Sequence, residues 1–288
     1  MKKINILLQT ELKKDATLVV PDNFVIHGFS ARNNLHWRDF IEEIAYEKMK
    51  DDESWISFVS IQVAGFISRL EDSPLKHSLI FPSMHKMYDY RNTLFWNVWN
   101  SYIPNDIKLN TTGKFDTISN LIDKKLDINS NRVFIRPISP WKPFAGFDCS
   151  LDEISYEMNS RVQLERLDKS EMIAVYPYQP IDEIEWRVYV INGDVVTYSP
   201  YSWNAEANLD ISVREDILDV ARKAYQYLED LGDNYVIDVC TINGVPKVLE
   251  INGVSTSGWY KNIDTKRLFE AISTQIYGIE LNYNSPSL

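Results

Sequence analysis

The chain has 288 residues, of which 44% are hydrophobic and 25% charged, with a formal net charge of −11 and two cysteines. The acidic balance argues against sequence-independent nucleic-acid binding, which needs a positive field, and makes any phosphate site depend on a few local Arg or Lys and on metal ions. Cys149 and Cys240 lack metal-type spacing and read as reduced thiols. The first apolar run stops at Gln9, too short for a signal peptide. No run approaches the ~20 apolar residues of a membrane span, so the expected setting is the cytoplasm, away from membranes.

The pattern predicts a first strand at INILLQ (4–9) and an amphipathic helix over 36–50, with Phe40, Ile44 and Met49 among its apolar positions. Residues 54–70 open as a strand and continue as a helix, 77–84 read as a strand, and 87–103 have helical spacing with an aromatic face. This alternation predicts an N-terminal α/β domain over 1–110. The second domain, 111–288, opens with a short helix over 115–126. NRVFIRP is a strand ending at Pro137, 150–164 a helix, and 172–179 a strand. Two hairpins are predicted, turning at Asn192-Gly193 and Asn243-Gly244. Helices cover 211–231 and 264–278. The class expected for 111–288 is α+β, as two subdomains hinged near 176–180.

The second hairpin carries the chemistry. Glu250 and Asn252 share one strand face by alternation, and Asp238 joins them in a suitable register. Two carboxylates and an amide form an all-oxygen set suited to magnesium, above all magnesium that already carries nucleotide phosphates. Their neighbours Val236, Ile237, Val239, Val248, Leu249 and Ile251 are apolar, and an acid in a buried strand costs several kcal/mol, on the order of 5, unless paired or ligated. The bland alternative is a solvated sheet face.

Upstream, Arg136 stands at a strand end and Lys142 in a loop broken by Pro140, Pro143 and Gly146. Arg187 lies inside the apolar strand WRVYV and needs an anionic partner, either a phosphate or a carboxylate such as Glu185. These three bases, followed by the carboxylate hairpin, favour phosphate. Tyr176, Pro177 and Tyr178 end a strand like an interdomain hinge, where backbone groups can bind adenine, and Glu185 could accept from a ribose. SGWYKN follows the metal hairpin. Ser257, Trp259, Tyr260 and Lys261 could line an acceptor pocket, with backbone donors from Ser255 to Gly258, or Trp259 could pack on the core.

In this order, the basic strand, basic loop, hinge strand, E-x-R hairpin, long helix and Asp…Glu-x-Asn hairpin resemble the ATP-grasp superfamily over roughly 130–260. FIRP…WKPFAG and EIEWRVYVING resemble its divergent clade defined by two arginines and a lysine, which includes phage and bacterial proteins and a eukaryotic translation-initiation assembly factor. The resemblance implies an ATP-grasp fold with a smaller N-terminal domain that helps bind a substrate. It implies that Arg136, Lys142 and Arg187 contact ATP phosphates and are catalytic, that Tyr176 to Tyr178 hold adenine, and that Glu185 reaches the ribose. Asp238, Glu250 and Asn252 would hold Mg2+. One position departs from the superfamily: Val236 stands where ATP-grasp ligases carry an Arg two residues before the metal Asp, so Arg136 or Arg187 would serve instead.

The implied activity is a carboxylate–amine ligase that activates an acid as an acyl phosphate and joins it to an amine. Its substrates would be amino acids or other small molecules, peptides or a protein. The alternatives are a small-molecule kinase and an ATP-binding assembly factor that docks a protein partner.

Overall fold

The computed structural model describes residues 3–14, 16–50, 53–80, 101–123, 127–139, 142–201 and 211–278. Its contacts divide the chain into two units. One comprises 1–82, 183–240 and 250–288, the other 83–182 and 241–249. The sequence boundary near 110 does not coincide with this division. The reason lies in the first unit's core, where Ile4, Ile6, Phe58, Tyr189, Val236, Trp259 and Phe269 form one buried cluster.

The first unit begins with β1 (Ile4–Gln9), buried along its whole length, and β2 (Phe24–Phe29). Helix α1 (Trp37–Glu43) continues into a wider π-helical turn over Ile44–Lys48. Strand β3 (Ser54–Phe58) and helix α2 (Ile61–Ile67) follow. The three strands form a parallel sheet in the order β2-β1-β3. Continuous burial of β1 and β3 is what a parallel sheet covered on both faces requires. Of the strand expected over 77–84, residues 77 and 78 end a 3-10 turn over Pro74–Ser78, and Leu79 makes a bridge to Ser57. Ser73 caps that turn by accepting from the Leu75 N–H, and Pro74 starts it, so local chemistry outweighs the β-forming run. Residues 81–84, and 87–100 of the predicted aromatic helix, lie outside the described residues.

The second unit contains β4 (Lys114–Thr117), α3 (Ile118–Asp123), β5 (Arg132–Pro137), β6 (Phe147–Ser150), α4 (Ile154–Glu165) and β7 (Met172–Pro177). The antiparallel sheet runs β4-β7-β5-β6. Residues 115–117, expected to begin a helix, instead pair with β7 as part of its edge neighbour β4. Val133, Ile135, Ile173 and Val175 alternate into a core closed by Ile118, Leu121, Ile154 and Met158.

The chain then re-enters the first unit as β8 (Glu185–Ile191) and β9 (Asp194–Tyr201). Asn192 and Gly193 have φ of 48° and 86°, as a two-residue hairpin turn with primed geometry demands. Helix α5 (Glu215–Leu228) buries Ile217, Leu218, Ala221, Ala224 and Leu228, one stripe at helical spacing. Strands β10 (Asn234–Ile242) and β11 (Val245–Asn252) complete a sheet ordered β11-β10-β8-β9. Helix α6 (Thr265–Ala271) is capped by Asp264, which accepts from the Arg267 N–H.

Candidate active site

Arg187 on β8 is the direct cross-strand partner of Asp238 on β10. Its Nε donates to Asp238 Oδ1 at 2.9 Å and its Nη2 to Oδ2 at 2.7 Å. Asp238 is 1% exposed and the Arg187 side chain 11%. Burial by itself would lower the Arg187 pKa, but the charge and hydrogen bonds of Asp238 hold it well above its ordinary value. The partner of Arg187 is therefore Asp238, across the sheet, and not Glu185.

Two further bonds fix this pair. Asn252 Nδ2 donates to Asp238 Oδ2 at 3.1 Å, which puts Asn252, and by alternation Glu250, on the Asp238 face. Arg187 Nη1 and the Tyr189 hydroxyl both donate to the Gly258 carbonyl at 3.2 Å. Val236 is the cross-strand partner of Tyr189 and belongs to the buried core. The position two before Asp238 is therefore filled by packing, and the guanidinium that bonds Asp238 stands on the neighbouring strand.

Two tyrosines border the guanidinium. Tyr201 and Tyr260 stack with centroids 4.6 Å apart and planes 6° from parallel. Arg187 Cζ is 5.3 Å from the first ring and 5.2 Å from the second, so it sits beside the stack rather than between the rings. The Tyr201 hydroxyl donates to Glu185, and burial together with nearby Asp238 raises its pKa well above the usual value. Glu185, expected to reach a ribose, is 1% exposed and serves Tyr201.

Tyr201 was not legible in the sequence, for a geometric reason. Counting back from the Asn192-Gly193 turn pairs Glu185 with Pro200. The strands instead slip by one residue between Tyr189 and Val190, so Glu185 pairs with Tyr201 and Arg187 with Ser199. A one-residue bulge exchanges the two faces of a strand.

The other predicted residues lie in the second unit or in the loop after β11. Arg136 is half-buried at the end of β5, opposite Ala174. Lys142 is exposed, with φ 45°, and its N–H bonds to the Ser139 carbonyl at 3.1 Å. Tyr176 is 1% exposed, with Phe115 edge-on to its ring. Pro177 ends β7, and the Tyr178 N–H is committed to the Arg132 carbonyl. In the loop, Ser257 donates to the Gly253 carbonyl and Lys261 is exposed. Trp259 is fully buried against Phe58 and Phe269, so its ring belongs to the core. The Ser255 N–H, one of the expected backbone donors, bonds to Ile80.

The donor chemistry suits a hard cation. Asp238 Oδ1 takes only one of these bonds, and Asn252, giving Nδ2 to Asp238, keeps its carbonyl oxygen as an acceptor. Among the described residues no three Asp, Glu, His or Cys converge as a metal group. The candidate set, Asp238 and Asn252 with Glu250 on the same strand face, is two carboxylates and an amide, a kind of donor set that suits magnesium when phosphate and water complete its shell.

A family model described as ATP-grasp domain, R2K clade family 3, matches residues 76–272. The fold is similar to that of D-cycloserine synthetase DcsG, with a TM-score of 0.53 at 10% identity over 95% of this chain and 99% of that one. It is likewise similar to D-alanine–D-alanine ligase from Bacillus anthracis complexed with ATP, with a TM-score of 0.52 at 13% identity over 96% and 97%. The ATP-grasp ligase PsnB, complexed with its minimal precursor, matches with a TM-score of 0.43 at 12% identity over 64% of this chain, which spans 59% of PsnB. At these identities the likeness is one of fold. No curated protein matches the chain.

Proposed function

We propose that this chain, which belongs to the R2K clade of ATP-grasp domains, family 3, is an ATP- and magnesium-dependent ligase that joins a carboxylate to an amine. One observation carries the reading: a guanidinium, a carboxylate and an amide are locked together on one buried sheet face, Arg187 to Asp238 to Asn252. A buried ion pair adds little stability over an apolar pair of equal volume, so its presence in a strand this apolar favours a chemical use.

Asp238, Glu250 and Asn252 would hold Mg2+, and Arg136, Lys142 and Arg187 would take the phosphates. Backbone groups of Tyr176 to Tyr178 would bind the adenine. ATP with magnesium, when bound, supplies the phosphoryl group that makes a carboxylate reactive toward an amine. The residues of the chain do the positioning. The Asp238 fork and the Gly258 carbonyl hold the Arg187 guanidinium in one plane, the tyrosine stack closes its flank, and Glu185 orients Tyr201. A preorganised cation needs no reorientation as negative charge moves.

The test is incubation with ATP, magnesium, and candidate acids and amines. ADP release that requires both an acid and an amine supports ligation. Release with a single substrate makes the protein a kinase, and ATP binding without release makes it an assembly factor. Asp238→Asn should abolish magnesium-dependent turnover, and Lys142→Ala should weaken ATP. Unchanged kinetics in either variant would remove that residue from the site.

A further inference from the structure

In the parallel sheet β2-β1-β3, the central strand is the first in the chain. The connection after β1 therefore goes to one side of it and the connection after β2 to the other. In open parallel sheets the ligand crevice lies at the carboxyl ends of the strands, where such loops part. The connection leaving that end of β1 begins with residues 10–14.

Several bonds pin this loop. Glu11 Oε1 accepts from Ser30 Oγ at 2.6 Å and from the Arg32 N–H at 2.7 Å. The Thr10 hydroxyl donates to the Phe29 carbonyl, and the Leu12 carbonyl accepts from the Trp259 N–H at 2.7 Å. Lys14 has φ 47°, a left-handed conformation uncommon for residues other than glycine.

The exposed Lys14 side chain runs toward Gly258. A Cβ at Gly258 would lie 3.6 Å from Lys14 Cε and 3.8 Å from Arg187 Nη1, so two cationic side chains flank one glycine. Asp238 answers the charge of Arg187. Among the described residues, Lys14 has no carboxylate within ion-pair distance. The Arg187–Asp238 pair is neutral as a unit, so the ammonium of Lys14 brings one uncompensated positive charge to this point, which attracts an anion.

We propose that Lys14 is a substrate-binding residue whose ammonium receives a carboxylate of the acid substrate beside Gly258. The substrate's role rests on the ligase reading above; the binding of a carboxylate does not. Glycine at 258 keeps the approach to both cations clear, since a Cβ there would meet the Leu12 carbonyl oxygen at 3.5 Å as well as Lys14 Cε at 3.6 Å and Arg187 Nη1 at 3.8 Å.

The experiment separates the two. Lysines of the full chain are reductively methylated with 13C-formaldehyde, which preserves their charge, and the Lys14 resonance is assigned by its loss in Lys14→Gly. L-alanine, L-glutamate and succinate are then titrated at constant ionic strength. The site predicts a saturable shift of the Lys14 signal with at least one of them and none with sodium chloride. No shift with any, or an equal shift with chloride, overturns it. Saturation in a protein that never releases ADP with acid and amine would leave the carboxylate site standing and sink the ligase reading.

In an active preparation, Lys14→Gly should raise the KM for the acid at least tenfold, a charge-assisted hydrogen bond's worth, and leave the KM for ATP within twofold. Glycine also relieves the left-handed backbone, so that variant should melt no lower than the parent. An unchanged KM for the acid in a protein that melts as the parent does would overturn the assignment.

Discussion

Arg187 and Asp238 face each other across neighbouring antiparallel strands and share two parallel hydrogen bonds inside a nearly dry sheet face. Each residue solves the other's burial problem. An isolated buried charge is costly, whereas a forked guanidinium–carboxylate pair satisfies both groups at once.

That dependence makes single substitutions severe. Arg187→Met leaves Asp238 buried without its cation and should cost about 3–5 kcal/mol. Adding Asp238→Leu should return most of that loss, because the pair is then replaced by apolar volume. Urea unfolding of the parent, both single variants and the double variant forms the cycle. Additive losses in the double variant would mean that the pair is not the cause.

Tyr201 has two separable jobs. Tyr201→Phe keeps the stack on Tyr260 but withdraws the hydroxyl that Glu185 accepts from, and should cost about 1–3 kcal/mol. Tyr201→Ala also empties the ring's space and should cost about 3–5 kcal/mol. Equal melting temperatures for the two variants would show that the ring contributes nothing.

Gly113 has a packing requirement. A Cβ there would come within 2.3 Å of the Tyr176 ring, which is fully buried and cannot easily yield. Gly113→Ala should destabilise the protein by about 1–3 kcal/mol through overpacking. On the proposed reading it should also raise the KM for ATP, since Tyr176 leads into the adenine hinge. Stability is checked by urea titration and the second effect by steady-state kinetics.

His27 gives the fold a pH dependence on the acid side. Burial holds its pKa below the ordinary 6.5, and Lys48 lowers it further against the opposing pull of Glu53. The ring stacks on Trp55 and bonds through Nε2 to Asn5 Oδ1. The unfolded chain takes up the proton first as pH falls, so stability should be full above pH 6.5 and decline as pH drops through the depressed folded pKa. His27→Gln should flatten that part of the profile, measured as unfolding free energy from pH 7.5 to 5.

The sequence by itself determined the residue types of the candidate site and most of the elements that carry them. Both Asn-Gly turns, the apolar strands around Asp238 and the stripe on α5 are local signals, set by backbone conformation and by periods of two and 3.6 residues. Only the tertiary structure decided who meets whom. Arg187 finds Asp238 because β8 and β10, separated by a hairpin and a helix, become neighbours. Tyr201 reaches the face of Arg187 because one bulge shifts the register, and a bulge leaves no mark in a hydrophobic pattern. Lys14 stands beside Gly258 through folding that joins residues 244 positions apart. Pairings at such separations depend on how sheets and loops pack, a property of the whole chain that no short stretch of it encodes.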